Sequence, residues 1–391
     1  MMKLVYVDNN ATTQVDGSVL EEMLPYFREF YGNPSSLHTF GRQVAGKIEI
    51  ARERVADLLG ANSSEIVFTS CGTESNNNAI HSSLEANPQK RHVVTTKVEH
   101  PAVLNLCRYF GKNGYEVTEL SVDENGMIDL DNLREAIREN TAIVSIMHAN
   151  NETGIVLPIE EIGKIVKEKG VLFHCDAVQA IGKIPVDLRN SHIDLLSLSG
   201  HKLHAPKGVG VLYIRKGVRV NPLIIGGHQE NNRRSGTENV PSIIGLGKAC
   251  ELAKISRDEY SNRVKGLRDK LEQGIKETIT KVTINGEKSN RLPNTSNIAF
   301  EYVEGEAILL LLDMVGIAAS SGSACTTGST EPSHVLQAMG APVSQSRGAI
   351  RFSLSRYSTD DEINYILEKL PPIIKKLQDL SPIFDDSLGI G

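Results

Sequence analysis

From about residue 65 to 215 the chain repeats one pattern, and that repetition limits its fold more than any other feature. Short runs rich in β-branched residues alternate with stretches whose apolar residues fall three and four apart. "EIVFTS" precedes a helix opening at "CGTESNNNAI", and "HVVTTKV" precedes "PAVLNLCRYFGKNG", which Gly114 stops. "YEVTELSV" with "LDNLREAIREN", and "AIVSIMHAN" with "IEEIGKIVKEKG", continue it, and then come "VLFHCDA", "IDLLSLS" and "GVGVLYIR". The economical solution is a mostly parallel sheet with helices on both faces. Such sheets bind ligands at the carboxyl ends of their strands.

With 391 residues, of which 40% are apolar, the chain can bury this layer and a smaller one. After "SGTENVPSIIGLG" a long charged helical stretch runs through "LRDKLEQGIKETI" and crosses to a C-terminal α+β part. Within that part, "AILLLLDMVGIAA" is too short for a bilayer and is interrupted by Asp313; it reads as a helix ended by Gly316, then a buried strand. The formal net charge of -6 argues against nucleic acid or an anionic membrane as main partner. "MMKLVYVDNNATT" shows no signal peptide, and five scattered cysteines without a CxxC pair fit a reducing cytoplasm.

The strand ends carry the chemistry. At "FTSCGTES" the backbone N–H groups of Gly72 and Thr73 would face an anion at a helix start, although an ordinary helix cap reads the same way. "TTKVEHPAV" ends on His100, and "MHANNETG" places Asn150 and Asn151 at the next strand end. Asp176 closes the apolar "VLFHCDAVQ", where a carboxylate is costly unless it meets a cation or a donor. A pyridinium nitrogen is one such partner. Ser199, His201 and Lys202 follow "LLSLS", and a desolvated lysine can form a Schiff base with an aldehyde cofactor. His201 and His204 lack the carboxylate spacing of a zinc motif. Each signal alone has a bland reading; the set, at successive ends of one sheet, describes a phosphate cradle, a ring stacker, a pyridinium partner and an imine-forming lysine. Further on, Cys325 stands alone in "AASSGSACTTGSTEPSHV", a small-residue stretch that reads as a mobile loop.

The ordered motifs "YVDNNATT", "YGNPSSLH", "TSCGTESNN", "EHPAV", "ANNETG", "DAVQAIGKIPVD", "SGHKLHAPKGVG", "RRSGTENVP", "SSGSAC" and "IRFSLSRY" run nearly end to end. In them the chain resembles cysteine desulfurases of the NifS/IscS type, within the class V aminotransferase family. The resemblance implies an α/β chain of pyridoxal-phosphate (PLP) fold type I, like aspartate aminotransferase. Residues 16–262 would form a large domain with a mainly parallel sheet. Residues 1–15 and 263–391 would form a smaller α+β domain carrying the Cys325 loop. The activity implied is removal of sulfur from L-cysteine, giving L-alanine and a persulfide on Cys325.

The same resemblance assigns roles. Lys202 holds the cofactor and takes the substrate α-proton, and His100 stacks on the ring and assists proton transfer. Asp176 pairs with the pyridine nitrogen, and Asn151 and Gln179 contact the ring hydroxyl. Gly72, Thr73, Ser199 and His201 hold the phosphate, joined by Thr237 from the second subunit of a homodimer. Arg351 clamps the substrate carboxylate with Asn33 beside it, and Cys325, its thiol activated by His100, is the nucleophile. An iron–sulfur scaffold protein of the IscU/NifU type would accept the sulfur, with Cys325 a candidate transient ligand of a cluster. A selenocysteine lyase or another fold type I lyase, and a non-catalytic sulfur carrier, are the alternatives. One position departs from the family: Ala205 replaces the usual glycine, and its methyl group is expected to force a small local adjustment.

Overall fold

The computed structural model describes residues 4–321 and 332–381. Thirteen strands occur among them. They are β1 Val5–Tyr6, β2 Ile66–Thr69, β3 His92–Thr96, β4 Glu116–Leu120, β5 Thr141–Ser145, β6 Leu172–Asp176, β7 Leu195–Ser199, β8 Gly210–Ile214, β9 Val282–Ile284, β10 Thr295–Phe300, β11 Ile317–Ala318, β12 Ser320–Ser321 and β13 Ala349–Ser353. Seven of these form the main sheet in the order β2-β8-β7-β6-β5-β3-β4. All pairings are parallel except those of β8, which runs antiparallel between β2 and β7. The strands β2, β3, β5, β6, β7 and β8 are buried along their whole length apart from Leu172, as sheet strands covered on both faces must be.

A second sheet, in the order β12-β13-β10-β9, is antiparallel throughout. The N-terminal strand β1 pairs in parallel with β11, and the chain beyond it lies against β13 through Asn9 N–H to Ser353 O. The apolar residues gather accordingly. One large cluster runs from Val19 to Leu292 and includes the β6 and β7 interior, while another joins Val5 and Val7 to residues between Val264 and Ile374.

A single helix, Val240–Thr278, spans 39 residues. At 1.5 Å per residue that is about 58 Å, long enough to carry buried residues of both clusters. The "SIIGLG" stretch is part of this helix and does not precede it. Gly247 explains why: a Cβ there would stand 2.6 Å from Ala51 Cα, so the glycine lets the helix Thr39–Leu59 cross closely. The helix Gly305–Met314, closed by Gly316 (φ 79°) and followed by β11, matches the sequence expectation.

Candidate active site

The carboxyl ends of the main sheet open on a cavity of about 410 Å³, a size that suits a small organic ligand. Gly72, Thr73, His100, Asn151, Asp176, Gln179, Ser199, His201, Lys202 and Arg351 all line it. Residues from five different strand ends, and one from the second sheet, therefore converge on one space.

The anion-facing corner is built by the helix Gly72–Ala86, which starts after β2. Its first backbone N–H groups have no partners within the helix. Cys71 caps it, Sγ accepting from Glu74 N–H. A Cβ on Gly72 would lie 2.9 Å from Val178 Cγ2 and 3.4 Å from Ser199 Cβ, so only a glycine lets the helix start meet the ends of β6 and β7. Glu74, in the same first turn, is taken up by Arg234 Nε at 2.9 Å. Burial would raise the Glu74 carboxyl, but hydrogen bonds from Arg234 and Ser70 hold it below the usual range.

Asp176 is 6% exposed, and both of its oxygens are occupied. Asn76 Nδ2 donates to Oδ2 at 2.7 Å and Val178 N–H to Oδ1 at 3.0 Å. Lys202 follows β7 in a tight turn, and its Nζ donates to the carbonyls of Asn10 and Ala11, each at 2.6 Å. His201 Nδ1 sits 3.1 Å from Thr12 Oγ1, and its pKa falls to about 4 through burial and the charges of Lys202 and Lys207. His100 caps the helix Pro101–Lys112. Its Nδ1 accepts from Ala102 N–H at 3.1 Å, which places the proton of the neutral ring on Nε2. Burial lowers its pKa, and Lys202, His334 and Arg351 add to this against the pull of Asp176.

Arg351 is 2% exposed on β13. Its Nη2 pairs with Asp8 Oδ1 at 2.7 Å, Nη1 donates to Asn151 O at 3.0 Å, and the buried Nε has no partner among the described residues. A guanidinium fixed on two sides with N–H donors unspent, Nε among them, suits a carboxylate ligand. The whole set fits pyridoxal phosphate: helix N–H groups for its phosphate, Asp176 for its ring nitrogen, Lys202 for its aldehyde.

Two expected residues lie elsewhere. Asn33 is exposed, its Oδ1 accepts from Ser35 N–H at 2.9 Å, and it does not line the cavity. Thr237 lines a separate space of about 220 Å³ with Ser70, Glu230 and Arg234. Cys325, with its expected nucleophilic and cluster-binding roles, lies outside the described residues. Among the described residues no group of three or more His, Cys, Asp and Glu side chains could hold a metal ion.

Ala205 is not among the residues with positive φ; His204 is, at 63°. Its N–H donates to Thr13 Oγ1 and its Nδ1 to Gln14 O, and these bonds stabilise the left-handed turn.

Several participants carry no signal of their own. The Lys202 anchors are main-chain carbonyls, which any residue supplies. Asp8 and His334 stand within the quoted motifs "YVDNNATT" and "EPSHV" but reach the site only through folding. Asn76 was detectable in principle, since three consecutive asparagines are poor helix formers. Glu99 is fully buried, accepting from Thr96 Oγ1 and Met147 N–H, each at 2.9 Å. Burial, together with the charge of Asp176, pushes its pKa up to about 8.

Comparison with known proteins agrees with this geometry. The family model described as "Aminotransferase class-V" matches residues 5–366. A protein of a Nostoc strain named "Cysteine desulfurase" is 58% identical over 99% of this chain and 97% of its own length. "Cysteine desulfurase NifS" of Azotobacter vinelandii is 56% identical over 97% of this chain and 94% of its own. A solved structure titled "NIFS-LIKE PROTEIN" superposes with a TM-score of 0.91 at 43% identity, covering 96% of this chain and all of that one.

Proposed function

The chain belongs to the class-V aminotransferase family, and from that premise we infer that it is a PLP-dependent cysteine desulfurase. The observation that carries this reading is the single cavity in which Lys202, Asp176, the Gly72 helix start and Arg351 meet. When bound, pyridoxal phosphate supplies an electron sink that acidifies the α-carbon of an amino acid.

The protein's part is binding, orientation and proton handling. Gly72 and Thr73 N–H groups, Ser199 and His201 hold the phosphate, and Thr237 of the second subunit in a homodimer completes the set. Asp176, steadied by Asn76, meets the ring nitrogen; Asn151 and Gln179 meet the ring hydroxyl; His100 stacks on the ring and presents Nε2–H. Arg351, oriented by Asp8, takes the carboxylate of cysteine bidentately, with Asn33 at the edge. Lys202 Nζ would hold the cofactor aldehyde and would take the proton from the substrate α-carbon.

Cys325 is the nucleophile in this proposal. Its thiolate forms an S–S bond to the sulfur of cysteine while the substrate C–S bond breaks; the electron pair stays with the carbon fragment, which takes up one proton at Cβ, regains at Cα the proton that Lys202 removed, and leaves as alanine. The described chain stops at Ser321 and resumes at Pro332, and His334, two residues later, lines the cavity. That placement supports the role. An iron–sulfur scaffold protein in the cytoplasm then accepts the sulfur, and residues 16–262 act as one domain against 1–15 with 263–391.

Mass spectrometry after incubating the holoenzyme with L-cysteine tests the reading. The peptide containing Cys325 is expected to gain one sulfur atom, and Cys325→Ser to form no alanine. Alanine production by Cys325→Ser at the wild-type rate would overturn it.

A further inference from the structure

A second lysine lies behind the cavity. Lys183 is 6% exposed and follows Gln179 by four residues. Its Nζ donates to Gln179 Oε1 at 2.8 Å and to Asn10 Oδ1 at 3.3 Å. No carboxylate among the described residues lies within ion-pair distance of it. The charges that face it are those of Lys202 and Arg351, with the His204 ring nearby. Burial, Lys202 and Arg351 together bring its pKa down to about 7. An amine buried without a counter-ion is expensive, and such a group is retained where its hydrogen bonds matter.

Those hydrogen bonds decide the polarity of the neighbouring amides. Lys183 Nζ donates to Oε1 at 2.8 Å, and in its charged form it can only donate, so the ammonium holds the Gln179 oxygen toward itself. Gln179 Nε2 then faces the Asn10 carbonyl, at 3.0 Å, and both residues line the cavity. The same carbonyl accepts from Lys202 Nζ. Asn10 is fixed likewise: Oδ1 accepts from Lys183 and Asn294 while Nδ2 donates to Thr295 Oγ1 and Asn151 O. The carbonyl of Lys183 is itself tied down by Ser261 Oγ at 2.7 Å.

We propose that Lys183 is a positioning residue that locks the Gln179 amide with its N–H₂ toward the cofactor ring oxygen and its oxygen away. This rests on the reading of Gln179 as a contact of the ring hydroxyl. A donor at that oxygen stabilises its anionic form and lowers the proton affinity of the neighbouring lysine–cofactor nitrogen. Without Lys183, the Asn10 carbonyl alone favours that orientation, and the amide turns over more readily to offer an oxygen instead.

The test titrates the visible absorption band of the holoenzyme with pH. In Lys183→Met the apparent pKa of the lysine-bound cofactor is expected to rise by about half a unit or more, a roughly threefold gain in proton affinity. Lys183→Arg, which keeps the cation, should restore the wild-type value. In a Gln179→Ala background, Lys183→Met should add no further shift, because the two act through one amide. Thermal melts confirm that each variant is folded; where Lys183→Met is not, Lys183→Gln takes its place. Equal shifts from Lys183→Met with and without Gln179, or no shift in a folded variant, would overturn the proposal. A Gln179→Ala holoenzyme that titrates like wild type overturns the ring-hydroxyl reading, and the inference with it.

Discussion

At the scale of single residues, Arg351 has the sharpest consequences. Its planar fork is held by Asp8 on one side and the Asn151 carbonyl on the other. Lysine in its place would keep the charge and lose the two-pronged contact. Arg351→Lys is therefore expected to raise KM for cysteine by roughly 10- to 100-fold, about 1.4–2.8 kcal/mol of binding, with a smaller change in kcat. Steady-state kinetics decide the matter, and an unchanged KM would remove Arg351 from the substrate. Asn76 acts one step back. Asn76→Ala would free Asp176 Oδ2 while leaving Val178 N–H on Oδ1. Weaker cofactor retention on dialysis is expected, by about tenfold, which corresponds to about 1.4 kcal/mol for a hydrogen bond to a charged group. Lys202, Asp176 and His100 were legible in the sequence because their residue types are uncommon at the ends of buried strands. The carbonyls of Asn10 and Ala11 were not legible, because a main-chain acceptor leaves no mark in the side-chain alphabet.

Elements show a different balance. The main-sheet strands were readable because fully buried strands must be short, β-rich and bounded by turns. β1 and β12, two residues each, are too short for any periodicity and exist only through partners far along the chain. The antiparallel β8 also escaped, since its sequence "GVLYI" is as apolar as that of its parallel neighbours. Between elements, Glu99 joins the end of β3 to the chain after β5 through Met147 N–H. Its folded-state pKa of about 8 lies above the ordinary carboxylate value, so the native state holds a proton that the unfolded chain has lost. The stability it contributes is complete below the unfolded value near 4.5 and declines as pH rises toward 8. Glu99→Gln, which cannot ionise, should lack this decline. Its melting temperature relative to wild type is expected to rise steadily between pH 5 and pH 8, by an amount worth at most a few kcal/mol. A constant difference across that range would show that Glu99 is ionised in the folded protein.

For the whole molecule, two apolar clusters share one long helix, Val240–Thr278, and the proposed domain boundary falls within it. If residues 16–262 are one cooperative unit, hydrogen exchange in mild denaturant should release the amides of β2 to β8 together. Those of β10 and β13 should exchange as a separate group. A single common exchange step would merge the two. The segment from Val5 to Thr13 ties the second cluster to the site: Val5 and Val7 pack in that cluster, while Asn10 and Thr13 reach Lys202, His201 and the main-sheet cavity. That arrangement has a consequence for how the protein is made. Asn10 leaves the ribosome near the start of synthesis, but Ser353, whose hydroxyl receives its N–H, is 343 residues away. At roughly 5–20 residues per second the wait is on the order of 20–70 s. The anchor of Lys202 is thus among the earliest parts translated and among the last to be seated, so a nascent chain cannot finish this site before its own synthesis is nearly over.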